Sequence, residues 1–177
     1  MVNLSLWYLR LRYPRHCFGP GFKGPLRLRI RGPGRVSFGR DVLVRNHSGK
    51  TALLTFNRDA RIEIGDRVIL DGAGVMAATE IIIEPDAVLG PCLVLDTDFH
   101  AIGLERRQPG AAPERRPIHI GRGAWVQGKA TVLKGVMVGE GAVVRWASVV
   151  ASDVPPRTVV LGNPARVAGR TAEAGEA

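Results

Sequence analysis

The sequence has 177 residues, enough for one domain with a buried core and too few for two full globular domains. Hydrophobic residues make up 45% and aromatics only 6%, while 22 Gly and 12 Pro exceed what a helical protein carries, so short strands joined by tight corners are expected. A formal charge of +9 and a pI near 10.7 imply an anionic partner; no zinc spacing, aromatic-basic stacking motif or helix-turn-helix pattern accompanies the charge, so nucleic acid is not the expected one.

At the start of the chain, Leu4, Trp7, Tyr8 and Leu11 recur at i, i+3, i+4 and i+7 ahead of Pro14, which predicts a short amphipathic helix. Its apolar face either caps the open end of a repeat structure or meets lipid, and the two are compatible. Arg10, Arg12, Arg15, Lys23, Arg27, Arg29 and Arg31 make the opening segment basic enough to rest on an anionic leaflet. Residues 1–27 therefore read as a basic extension. Cys17 and Cys92 form no metal or redox motif and are expected as free thiols in a reducing compartment. No apolar run approaches the roughly 20 residues that span a bilayer, and no apolar signal core opens the chain. A cytoplasmic protein is expected, with any membrane contact made from that side.

Beyond residue 28 a six-residue pattern emerges. It shows in FGRDVL from Phe38, is poorly phased from Asn46 to Ala60, and returns in IGDRVI from Ile64 and in IEPDAV, LGPCLV and LDTDFH from Ile83 to His100. One residue of phase is inserted between Met76 and Ile83. From Ile120 the period is unbroken: IGRGAW, VQGKAT, VLKGVM, VGEGAV, VRWASV, VASDVP. The first position holds Ile120, Val126, Val132, Val138, Val144 and Val150, all β-branched. The fifth holds Ala124, Ala130, Val136, Ala142, Ser148 and Val154, all small or branched. Such a period suits neither a 3.6-residue helix nor alternating hairpins; it suits a solenoid in which three blocks close a triangular coil and both columns point inward. Between residues 97 and 117 the repeat stops, and a polar, Arg-rich stretch with Pro and Gly reads as an extruded loop, the kind of segment that carries function on a rigid scaffold.

Five elements in order, D-x-D-F-H at Asp96 to His100, the loop, P-I-x-I-G-x-x-A-W at Pro117 to Trp125, V-L-K-G-V at Val132 to Val136 and V-x-G-N-P-A-R at Val160 to Arg166, resemble the hexapeptide-repeat O-acetyltransferases that act on sugars, capsule intermediates and related glycans. The resemblance covers roughly residues 60–168. It implies an all-β fold, a left-handed parallel β-helix over residues 28–168; the tail at 169–177, small and acidic toward its end, reads as disordered on its composition. It also implies acetyl-CoA as acyl donor, a carbohydrate or glycan acceptor, and a homotrimer with active sites between subunits. The hand comes from the resemblance, since parallel crossovers are ordinarily right-handed.

On the same grounds His100 matches the catalytic base, an imidazole suited to removing a hydroxyl proton near neutral pH. Asp98, and less so Asp96, would orient its ring, unless they serve only as corner residues. Trp125 matches a tryptophan beside the acyl donor, unless it only packs against the loop, and a backbone N–H near Gly128 suits an oxyanion. Arg166 lies near the expected CoA phosphates, as either a phosphate contact or a solvated end. The chain departs from the family in reading Trp125-Val126-Gln127 and Val144-Arg145-Trp146-Ala147-Ser148 where small residues are usual, so Arg145 and Trp146 either bind CoA or obstruct its path. No metal is expected, because His16, His47, His100 and His119 lack the spacing that a metal-dependent β-helix hydratase uses. A non-catalytic scaffold is the other alternative. His119, in the resumed repeat, is expected to point outward.

Overall fold

The computed structural model describes residues 4–171, so the predicted tail falls outside the described residues from 172 onward. The chain winds into a prism with three parallel faces. The first face stacks Cys17–Phe18, Arg35–Phe38, Arg61–Ile64, Glu80–Ile83, Ile118–Ile120 and Met137–Val138. The second stacks Leu43–Arg45, Ile69–Asp71, Val88–Leu89, Trp125–Val126, Val143–Val144 and Thr158–Gly162. Onto this last strand Ala165–Arg170 folds back antiparallel after the Asn163–Pro164 turn. The third stacks Arg29–Arg31, Ala52–Thr55, Gly74–Ala77, Leu93–Leu95, Thr131–Val132 and Val149–Val150.

The register follows from the repeat. Ile120 lies opposite Val138 eighteen residues on, one full turn of three hexads. The β-branched column from Ile120 to Val150 and the small column from Ala124 to Val154 are buried throughout. Each valine taken wholly from water contributes about 1.5–3 kcal/mol, and only a neighbouring coil can provide that cover. Corners are sharp because one residue takes a left-handed backbone. Between the first and second faces this residue is Asp41, Arg67, Asp86, Gly123 and Gly141 in successive coils, with φ between 55° and 65°. Ile64 lies opposite Ile83 nineteen residues on. The extra residue is absorbed at the Ala78–Thr79 corner, which accounts for the phase slip.

Three expectations about the ends need correction. Coiling begins at Cys17, inside the segment 1–27 read as an extension: Cys17–Phe18 pairs with Ser37–Phe38, and Lys23 bridges to Leu43. Phe18, Phe22 and Phe38 fill the interior there, with the Phe18 and Phe38 rings stacked at 5.0 Å, so aromatic rings replace the branched column that marks later coils. At the other end Gly169 and Arg170 belong to the Ala165–Arg170 strand, opposite Val159 and Thr158, rather than to a loose tail. The helix Leu4–Arg12 does cap the open end, but it turns Leu6 and Leu9 to the core, where Tyr13, just beyond the helix, also packs. Trp7 and Leu11, predicted on the inner face, are 62% and 67% exposed.

Candidate active site

The loop leaves the third face through an antiparallel clasp. Thr97 bridges Arg115, the Asp98 N–H donates to the Glu114 carbonyl at 3.1 Å, and the Arg116 N–H donates to the Asp96 carbonyl at 3.0 Å. Asp96 is fully buried and faces away from the loop. Its Oδ1 accepts the Ala78 N–H at 2.6 Å; its Oδ2 accepts the Thr79 N–H, the Thr79 hydroxyl and the Glu80 N–H at 2.7, 2.8 and 2.9 Å. It is therefore the lock of the corner that absorbs the extra residue. An orienting role toward His100 is not what its contacts describe.

Asp98 is the other acidic half of the motif. Its Oδ1 meets Lys134 Nζ at 2.9 Å, and Lys134 also reaches Glu114 at 3.3 Å on the returning strand. The hydrogen bond to Asp98 raises the Lys134 pKa; desolvation opposes it, and the bond to Glu114 and the charges of both carboxylates add to the rise. Asp98 Oδ2 is buried without a hydrogen-bond partner among the described residues. Phe99 then takes φ of 62°, a conformation that costs a bulky residue about 1–3 kcal/mol, and packs edge-on against Phe56 at 5.4 Å. The turn closes with the His100 N–H on the Asp98 carbonyl at 2.7 Å. His100 itself is exposed, and its ring has no hydrogen-bond partner among the described residues. Beyond it, Ala101 to Glu114 fold around an open hollow of about 460 Å³ lined in part by Glu105, Arg106 and Gln108.

The remaining candidates sit elsewhere on the prism. Trp125 points out of the second face between Val88 and Val143 and is 47% exposed. At the corner between the second and third faces, Trp146 lies flat on Gly128, so close that a side chain there would meet the ring at 2.3 Å. The Trp146 backbone N–H donates to Gln127 Oε1 at 3.1 Å, and Lys129 Nζ stands 5.7 Å from the ring centroid. The Arg145 N–H donates to the Val160 carbonyl at 3.0 Å, and its side chain is exposed. Arg166 is the second residue of the final strand, exposed, with its guanidinium on the Ala165 carbonyl.

Thus Trp125, Gly128, Arg145, Trp146 and Arg166 share the second face and its far corner. His100 and Asp98 lie at the opposite end of the third-face strands. With about 3.3 Å per residue along a strand, roughly 15 Å separates the two groups within one chain. His119 points outward as expected and hydrogen-bonds Glu84 at 2.9 Å. Desolvation pushes the Glu84 carboxyl up, but the His119 hydrogen bond, the Arg122 N–H and both nearby charges outweigh it and hold the group below the usual range. Among the described residues no three His, Cys, Asp or Glu side chains converge as a metal ion would need, and no helix is long and apolar enough to cross a membrane.

No family model matches the chain. It is 33% identical over 121 residues to the Saccharomyces cerevisiae protein named "Putative acetyltransferase YJL218W", covering 64% of this chain and 58% of that protein. The chain thus spans less than two thirds of that relative. To nodulation protein L of Rhizobium meliloti it is 35% identical over 163 residues, covering 92% of this chain and 75% of that protein. The chain belongs to the hexapeptide-repeat acetyltransferase family.

Solved members share the fold. The hexapeptide-repeat acetyltransferase VCA0836 of Vibrio cholerae, complexed with acetyl-CoA, superposes with a TM-score of 0.61 at 21% identity, over 98% of this chain and 80% of that one. A galactoside acetyltransferase in complex with coenzyme A gives 0.62 at 17% identity, over 97% and 74%. The fold is the left-handed parallel β-helix of this family. What local reading missed in the site is Lys134: the V-L-K-G-V run contains it, but nothing near it in sequence announces Asp98 or Glu114 as its partners.

Proposed function

We propose that the chain is an acetyl-CoA-dependent O-acetyltransferase that acetylates a hydroxyl of a carbohydrate or glycan precursor, with His100 as general base. The observation that carries this reading is the placement of His100: an exposed imidazole without a partner among the described residues, held by a tight turn over the partly exposed Asp98–Lys134 ion pair, at the mouth of a polar loop. A free ring nitrogen in that position can accept a proton from a hydroxyl as its oxygen attacks the thioester carbonyl. The same nitrogen then returns the proton to the departing CoA thiolate, which leaves the enzyme unchanged. In this reading a turn of the exposed His100 ring toward Asp98 would let the unpartnered Oδ2 take the other ring N–H and stabilise the imidazolium. The loop hollow with Glu105, Arg106 and Gln108 offers the polar contacts that a sugar requires.

The separation of His100 from Trp125, Gly128, Arg145, Trp146 and Arg166 supports a homotrimer. One copy would then supply the base and its neighbour the wall for acetyl-CoA. The names of the relatives, the acetyl-CoA complex of VCA0836 and the galactoside enzyme support the donor and the acceptor class.

The test is thiol release from acetyl-CoA across a panel of sugars, with light scattering for oligomeric state. His100→Ala is expected to lower kcat about 10²- to 10⁴-fold with acetyl-CoA affinity and melting temperature unchanged. His119→Ala, which loses only a half-exposed bond to Glu84, should leave turnover nearly intact. Equal harmlessness of the two with a working acceptor would overturn the assignment and favour a binding scaffold. A fully active monomer would overturn the shared site.

A further inference from the structure

The first forty residues hold nine of the twenty-five Lys and Arg and none of the sixteen Asp and Glu; beyond them the two signs balance. The entire formal excess of +9 is therefore gathered in the cap and opening coils of the prism. Among the described residues none of these nine basic side chains forms an ion pair, whereas Arg61, Arg67, Arg116, Arg122 and Lys134 further along all do. Arg27, Arg29 and Arg31 stand exposed on and beside the outermost strand of the third face. Arg27 and Arg29 line a hollow of about 360 Å³ with Asn46, Lys50 and Thr51, which suits a phosphate group.

The same end carries apolar surface that the fold does not use. The cap helix buries Leu9 and packs Leu6 on the core, with Tyr13 just beyond it packed there too, yet its other side shows Trp7 and Leu11, and Leu26 nearby is 54% exposed. From this juxtaposition we infer that the N-terminal end of the prism is a docking surface for an anionic lipid bilayer. Aliphatic and indole groups enter the boundary between headgroups and acyl chains, while arginines lying around them reach the phosphates, their stems covering apolar area. Nucleic acid would use the charge but not Trp7, Leu11 and Leu26. A second copy meeting end to end would bring two uncompensated positive surfaces together.

The experiment is sedimentation of the full chain with phosphatidylcholine vesicles and with vesicles that also contain phosphatidylglycerol. Binding is expected only to the second kind and should fade with salt. Arg27→Ala with Arg29→Ala should weaken it about thirtyfold, roughly fivefold for each basic residue at the surface. Trp7→Ala with Leu11→Ala should also weaken it without lowering the melting temperature, since both side chains face solvent. Equal sedimentation with the two vesicle types would overturn the inference. So would a Trp7→Ala, Leu11→Ala protein that binds vesicles as tightly as wild type while duplex DNA strips both proteins from them, an outcome that assigns the surface to nucleic acid.

Discussion

Replacing Asp96 by Ala removes a fully buried carboxylate that holds three backbone N–H groups and one hydroxyl at 2.6–2.9 Å. Hydrogen bonds to a charged acceptor are worth about 1.5–3 kcal/mol each, so four would suggest ~6 kcal/mol or more. The space vacated by the carboxylate admits a water that restores part of this, and about 3–5 kcal/mol is the expected net loss. For a chain of this size that corresponds to a fall of about 10 °C in Tm. Asp96→Asn keeps an acceptor for the three donors on Oδ2 but turns an NH2 toward the Ala78 N–H, so about 2 kcal/mol is expected, from one lost bond and one donor–donor contact. Differential scanning calorimetry reads the two values. Amide exchange should localise the damage to Ala78, Thr79 and Glu80. An Asp96→Ala protein that melts with the wild type yet loses turnover would refute the reasoning, because it would make Asp96 an orienting group for His100 and not the lock of a corner.

Val138→Asp places a charge without a partner in the sealed interior, and a loss of several kcal/mol is expected; an unchanged melting temperature would refute the inward register. Lys134→Met releases Asp98 and Glu114 together, so trypsin should cleave the exposed loop at Arg106 or Arg107 faster than in wild type, with turnover falling in parallel. The pH dependence has a definite sign: folding raises the Lys134 pKa, so its contribution is complete below the ordinary lysine range and disappears as pH rises through the folded value. Alkaline loosening of the loop should accordingly be seen in wild type and be absent from Lys134→Met. Trp146→Ala is expected to raise the KM for acetyl-CoA, and Arg145→Ala to weaken CoA binding in a salt-sensitive way; a residue whose loss leaves CoA binding unchanged belongs to the plain surface.

The coils were legible because their signal is redundant. Ile120 to Val150 repeat one steric requirement every six residues, and a slip of phase would expose the entire column. The first coil was not legible, since Phe18 and Phe22 satisfy the same interior with a different shape. The cap helix shows a true ambiguity: Leu6, Leu9 and Tyr13 match helical spacing as well as Trp7 and Leu11 do, and only the position of the open prism end decides which side is covered. His100 stands out through its motif, while Asp96 and Asp98, two residues apart, share one reading in the sequence although the chain leaves the strand after Leu95 and turns them to different partners. Lys134 lies thirty-six residues from Asp98, and no local pattern connects a lysine to a carboxylate that stacking brings beneath it.

The clasp at the root of the loop makes the molecule a chassis with an exchangeable insert. Thr97 and Arg115 are held side by side by the clasp, Asp96 and Lys134 anchor its two sides to neighbouring coils, and residues 101–113 hang beyond these attachments. Drift in the length or composition of that stretch leaves the interior columns untouched, because its closing cost grows only slowly with length. Variation in the acceptor can thus be explored by lineages, or by a designer grafting one loop for another, without renegotiating the stability of the prism.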